Sequence, residues 1–115
     1  KIMSKFDEKV AQYSKFMDDK GLGYNADLLK AVTKGLGPSI YKRDAETVSG
    51  SDAKELETVK KNFLMKKLGL EDGPKLDEAI AKVIEAIGKS ERSKYRAVVY
   101  YMLAVEFGKE SVYGM

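Results

Sequence analysis

The sequence has no cysteine, no histidine, no tryptophan and only two prolines in 115 residues. Without cysteine there is no disulfide framework, no thiolate nucleophile and no sulfur ligand for a metal. Without histidine the commonest general base and the commonest metal ligand are both missing. Oxygen ligands alone are a poor set for zinc and other borderline metals. No metal and no cofactor are expected. An enzyme built on this chain would work through carboxylates, Lys, Tyr, Ser or Arg, and the composition leans against one. Long hydrophobic runs are lacking too. The longest uncharged stretch of apolar character is nine residues, 97–105, against about 20 for a bilayer span. No membrane partner is expected, and a soluble cytoplasmic protein is. The opening KIMSKFDEKV is charged from its first residue and has no apolar signal-peptide region. Met3 is a candidate start, with Lys1 and Ile2 then upstream of it or left from cloning.

A strong excess of one charge is also missing. The chain carries 21 basic and 18 acidic side chains, a net charge of +3. Up to Glu57 there are 10 of each, and beyond it 11 basic against 8 acidic. An excess this small does not mark a nucleic-acid binder, which needs a clear basic stripe.

What the sequence does have is helical periodicity cut by glycine. A chain this long forms one domain, covering 1–115. Ser4 caps a first helix, in which Phe6, Val10, Tyr13 and Met17 share a face and Gly21 marks the end. Asn25 caps a second helix carrying Leu28, Leu29 and Val32, and Gly37-Pro38 stops it. Residues 39–51 are less regular, with a single helical turn expected at 44–48. Asp52 and Glu55 make a capping box for a third helix. Its buried stripe is Leu56, Val59, Phe63 and Leu64, its solvent side Lys60, Lys61, Lys66 and Lys67. A fourth helix follows Pro74, with Leu76, Ile80, Val83, Ile84 and Ile87 on one face. The uncharged stretch lies in a fifth helix, over 93–107, capped by Ser90 or Ser93 and stopped by Gly108. Its Val, Tyr and Phe content suits a strand, but strict alternation is absent. The expected fold is an all-α bundle of about five helices with helix 93–107 central. A weak repeat at an offset of 48 pairs Phe16-Met17, Gly21-Leu22 and Leu28 with Leu64-Met65, Gly69-Leu70 and Leu76. Two helical hairpins with glycine ends look alike without duplication, and two copies make no solenoid.

Chemistry-bearing patterns are few. Asp18-Asp19 ahead of Gly23 lacks the oxygen ligands of a calcium loop. Lys34 to Ser39, KGLGPS, lacks the spacing of a phosphate-binding loop. Tyr41 and Tyr113 each follow a helix-ending glycine and are expected to dock their rings, with each hydroxyl reaching the backbone. Lys89, Arg92 and Arg96 fall at i, i+3 and i+7 and so share one helix face, with Lys94 nearby. This is the candidate anion or ligand contact, and Tyr95 and Tyr100 are at hand for stacking on a base. Positive charge at a helix start opposes the macrodipole, so a carboxylate partner elsewhere is the simpler expectation.

The strings GPSIY, ELETVKKNFLMKKLGL, SKYRAVVYYML and FGKESVYG, spread over nearly the whole chain, resemble a family of short bacterial proteins known only as a domain of unknown function. The resemblance implies a free-standing cytoplasmic protein and brings no activity or catalytic residue with it. From the residues themselves, a protein–protein interaction or homodimer module is the leading expectation. A helix apolar nearly all round is central or buried between chains, so Val98, Tyr100, Tyr101, Met102 and Val105 are candidates for core or interface. The alternatives are a phosphate-ligand or nucleic-acid binder using Lys89, Arg92, Lys94 and Arg96, and a small enzyme without His or Cys.

Overall fold

Helix caps and glycine stops set the element boundaries in the computed structural model, which describes residues 4–114. The candidate start at Met3 lies outside them. Helix α1 (Lys5–Asp19) begins where the Ser4 side chain accepts the Asp7 N–H at 3.1 Å. It buries Tyr13 and Met17 completely. Its end is a left-handed Gly21 followed by a Leu22 N–H bonded to the Met17 carbonyl at 2.9 Å, a closure only glycine adopts cheaply. Asn25 caps α2 (Ala26–Gly35), which buries Leu28, Leu29, Val32 and Thr33. A 3-10 turn (Gly37–Tyr41) and the one-turn α3 (Arg43–Glu46) follow.

Asp52 caps α4 (Ala53–Thr58), accepting from the N–H groups of Lys54 and Glu55. The capping box is half formed, because the Glu55 side chain turns away to Arg96. Beyond Thr58 the chain continues as a π-helix (Val59–Lys67). Its buried residues explain the winding. Val59, Lys60, Phe63, Leu64 and Leu68 recur at four and five residues, so i→i+5 bonding keeps them on one side while α winding would spread them. Lys60 is thereby drawn inward, contrary to its expected place on the solvent side. Its ammonium pairs with Asp72 at 2.7 Å and Asp77 at 3.1 Å, while Lys61, Lys66 and Lys67 stay exposed. The offset-48 likeness holds in the left-handed Gly21 and Gly69 and in the equally buried Leu28 and Leu76. It fails in the preceding helices, where buried Tyr13 corresponds to exposed Lys61.

Helix α5 (Pro74–Ile87) buries Leu76, Ala79, Ile80, Val83, Ile84 and Ile87. Helix α6 (Arg96–Glu106) packs against α1, α2, α3 and α5 and is the centre of an all-α bundle. Among the described residues there is no strand, only one antiparallel bridge between Thr47 and Tyr95. That bridge shortens the expected helix over 93–107. The Lys94 carbonyl accepts the Val48 N–H at 2.8 Å, so 93–95 runs beside 47–48 instead of coiling. Neither Ser90 nor Ser93 caps α6; Tyr95 holds the cap position without a side-chain bond.

Seven of the eleven residues of α6 are buried. Val98, Tyr100 and Tyr101 belong to the core. Tyr100 stacks on Phe63 at 4.0 Å, and the Tyr101 hydroxyl accepts the Asn25 N–H at 2.6 Å. Met102 is partly buried and Val105 is 43% exposed. A final 3-10 turn (Glu110–Tyr113) lays Tyr113 against the core, and burial pushes its phenol up to about 12. Tyr41, expected to dock likewise, is 47% exposed instead. It ends the 3-10 turn, which buries the neighbouring Ile40.

Candidate functional site

Two polar segments distant in sequence, 43–55 and 89–94, are joined at the start of α6. The Val48–Lys94 hydrogen bond and the Thr47–Tyr95 bridge link them along the backbone. The Arg96 side chain ties the 43–55 segment to the start of α6. Its Nε donates to the Ala45 carbonyl at 2.7 Å, one Nη donates to the Tyr100 hydroxyl at 3.2 Å, and the other pairs with Glu55. Burial works against the Arg96 charge, but Tyr100 and Glu55 outweigh it and hold its pKa above the ordinary arginine value.

The 89–94 segment is tied from its other side. Lys20 pairs with the Glu91 carboxylate at 2.6 Å, and the Ser93 N–H donates to that same carboxylate at 3.0 Å. The Lys20 bond, with help from Ser93, holds the Glu91 carboxyl below the usual glutamate range.

Between the two segments lies an open cleft of about 610 Å³. Arg43, Lys89 and Arg92 stand on its walls, exposed and without a carboxylate partner among the described residues. Ser49, Ser51 and Ser90 supply hydroxyls, and Asp44 and Asp52 supply carboxylates. Lys94 also lines it, and it is only 4% exposed. Its stem crosses Gly50 so closely that a Cβ there would sit 3.2 Å from Lys94 Cε and 2.9 Å from Ile84 Cγ2. Its ammonium donates to the Lys89 carbonyl at 3.0 Å and to the Glu91 carbonyl. No carboxylate pairs with it among the described residues. Glu91 feels its charge, but that carboxylate is already bound by Lys20 and Ser93. An ammonium has three donors, so one remains beyond the two carbonyls.

The four candidate ligand residues therefore divide. Lys89, Arg92 and Lys94 line the cleft, whereas Arg96 braces the walls through a salt bridge. They share no helix face, because 88–95 is not helical. The tyrosines expected to stack on a base are occupied. Tyr95 packs on Tyr13 and Phe16 with ring centroids 4.8 and 5.1 Å away, and Tyr100 lies on Phe63.

Sequence reasoning passed over Arg43, Ser49, Gly50 and Ser51. The small polar triplet Ser49-Gly50-Ser51 marks a loop, but nothing in the sequence places it opposite Lys94. Among the described residues, no three carboxylates gather as a metal site requires, and no helix is long and apolar enough to cross a membrane.

No curated protein matches the chain. Residues 12–111, which include both walls of the cleft, match the family described as a protein of unknown function, DUF2853, and the chain belongs to that family.

Proposed function

We propose that this protein is a binding module whose cleft holds a small anionic ligand bearing a phosphate-type group. The observation that carries this is Lys94. A buried charge is costly unless paired, and among the described residues this one has two carbonyl partners and no carboxylate, while lining a polar cleft. An anion entering beside it would take the third ammonium donor and meet Lys89, Arg92 and Arg43 at the rim. Charge-assisted hydrogen bonds of this kind are stronger than neutral ones. The volume fits a small molecule. A nucleic-acid surface is a weaker match, because Tyr95 and Tyr100 face inward and no aromatic side chain lines the cleft.

The test is a titration with inorganic phosphate at low salt, followed by amide NMR. Shifts in residues 49–51 and 89–94 are expected, and Lys94→Met removes them. Lys89→Gln with Arg92→Gln, both exposed and safe for folding, weakens binding about tenfold or more. Saturating phosphate without shifts in these segments would sink this reading.

A homodimer is the second reading. Its support is the solvent-facing remainder of α6, the partly buried Met102 and the exposed Val105, with Val112 nearby in sequence and 36% exposed. Most of the helix is used by its own core, so the apolar surface left for a partner is narrower than the sequence suggests. Light scattering at high concentration decides it, and a strictly monomeric mass rejects it.

A further inference from the structure

The cleft is not uniformly basic, and its mixed lining bears on which anion fits. Resting on the anion-binding reading above, we infer that the ligand is a phosphorylated polyol of sugar size. The cationic residues Arg43, Lys89, Arg92 and Lys94 suit a phosphate, which brings up to two negative charges and several acceptor oxygens. The same cleft carries acceptors that would repel a bare anion. Asp44 is exposed, and among the described residues no ion pair or hydrogen bond engages its carboxylate. Asp52 uses one oxygen, Oδ1, for the Lys54 and Glu55 N–H groups, which leaves the other to accept. A carboxylate accepts hydrogen bonds from ligand hydroxyls, and serine both gives and accepts them. Asp44, Asp52, Ser49, Ser51 and Ser90 thus form a set for hydroxyl groups, beside a set for phosphate.

The lining also excludes close relatives of such a ligand. Among the described residues, Val48 is the one large apolar side chain lining the cleft, and no aromatic ring lines it. A nucleobase would find no stacking surface and no dry wall, and stacking is the main source of affinity for a base. A lipid tail would likewise remain in water. At about 610 Å³ the cleft lies within the range of small-molecule sites and exceeds the needs of free phosphate.

Calorimetry on the intact chain tests this with four probes: inorganic phosphate, glucose 6-phosphate, glucose and adenosine 5′-monophosphate. Glucose 6-phosphate is expected to bind about tenfold or more tightly than inorganic phosphate, since several hydroxyl contacts add to the phosphate ones. Adenosine 5′-monophosphate should gain much less, and glucose should not bind measurably. Asp44→Ala combined with Asp52→Asn should erase most of the glucose 6-phosphate advantage and leave phosphate affinity equal or higher. Asparagine caps a helix as well as aspartate, so this variant keeps α4. Equal affinities for phosphate and glucose 6-phosphate, or tighter binding of the nucleotide, overturn the polyol assignment while the anion site stands. Failure of every phosphate probe to bind overturns both.

Discussion

Arg96, at the first turn of α6, pairs with Glu55 of α4 with both side chains largely withdrawn from water, at 12% and 25% exposure. The same guanidinium holds the Ala45 carbonyl, so one side chain fixes both ends of the 45–55 wall. Removing one partner of a buried pair strands the other. Arg96→Met should cost about 2–4 kcal/mol in urea denaturation and weaken phosphate binding along with it. Arg96→Lys should recover the charge and only part of the stability, because an ammonium cannot reproduce the planar fork. Unchanged stability in Arg96→Met would show that the wall does not depend on this brace.

Tyr13 reaches the same wall from α1. Its hydroxyl donates to Glu46 at 2.6 Å, and Lys9 meets that oxygen at 2.7 Å. Tyr13→Phe removes one charge-assisted bond and should cost about 1–2 kcal/mol. Burial, then the Glu46 bond, raises the Tyr13 pKa far above the ordinary tyrosine value. A raised phenol favours the folded state while unfolded tyrosine is neutral. That contribution declines as pH rises through the unfolded value of about 10. Absorbance titration of the seven tyrosines should therefore leave Tyr13 protonated until the chain unfolds. Its ionisation in the native state near the ordinary value would refute this.

Gly50 is needed for its lack of a side chain, since an added Cβ would meet Ile84 Cγ2 at 2.9 Å. Gly50→Ala must push the buried Ile84 or the Lys94 stem aside. Overpacking of this kind should cost about 1–3 kcal/mol and loosen the cleft. A melting temperature and phosphate affinity equal to the parent's would show that the close approach has no energetic weight.

Acid should open the 89–94 segment before it unfolds the bundle. The Glu91 carboxyl lies below the usual glutamate range because Lys20 and the Ser93 N–H bind its charged form. Its contribution is complete above the unfolded glutamate value. It is lost as pH falls through the lower, folded value. Protection of the 89–94 amides, relative to their intrinsic exchange rate at each pH, should fall over that acid window, and Glu91→Gln should show the lower protection already at neutral pH. An exchange profile insensitive to both changes would disprove the tie.

Much of the scaffold is legible in local chemistry. Ser4, Asn25 and Asp52 cap the helices they precede, and a left-handed glycine follows α1, because these effects act over one turn of chain. The apolar faces of α2 and α5 are equally plain, since period 3.6 needs only neighbouring residues. The π winding of 59–67 is harder to read. Its cause is the set of residues that must face Tyr100 and the core, and that set is fixed by other helices. The start of α6 is hidden from local sequence for the same reason. Ser93 is a good cap in isolation, but the Lys94 carbonyl is bound by Val48, 46 positions earlier.

Residue pattern alone marks out an all-α bundle with residues 97–105 at its centre, because burial of so apolar a segment needs no knowledge of its partners. It also places Lys89, Arg92, Lys94 and Arg96 near one another. What each of them does depends on contacts far apart in the chain. Arg96 is neutralised by Glu55 and a carbonyl from the 43–55 segment. Lys94 is carried inside with no carboxylate partner among the described residues, and Lys89 and Arg92 are left facing a cleft. The difference is electrostatic and long-range: a charge is structural or free according to which carboxylate the fold brings within reach, and sequence spacing does not encode that distance.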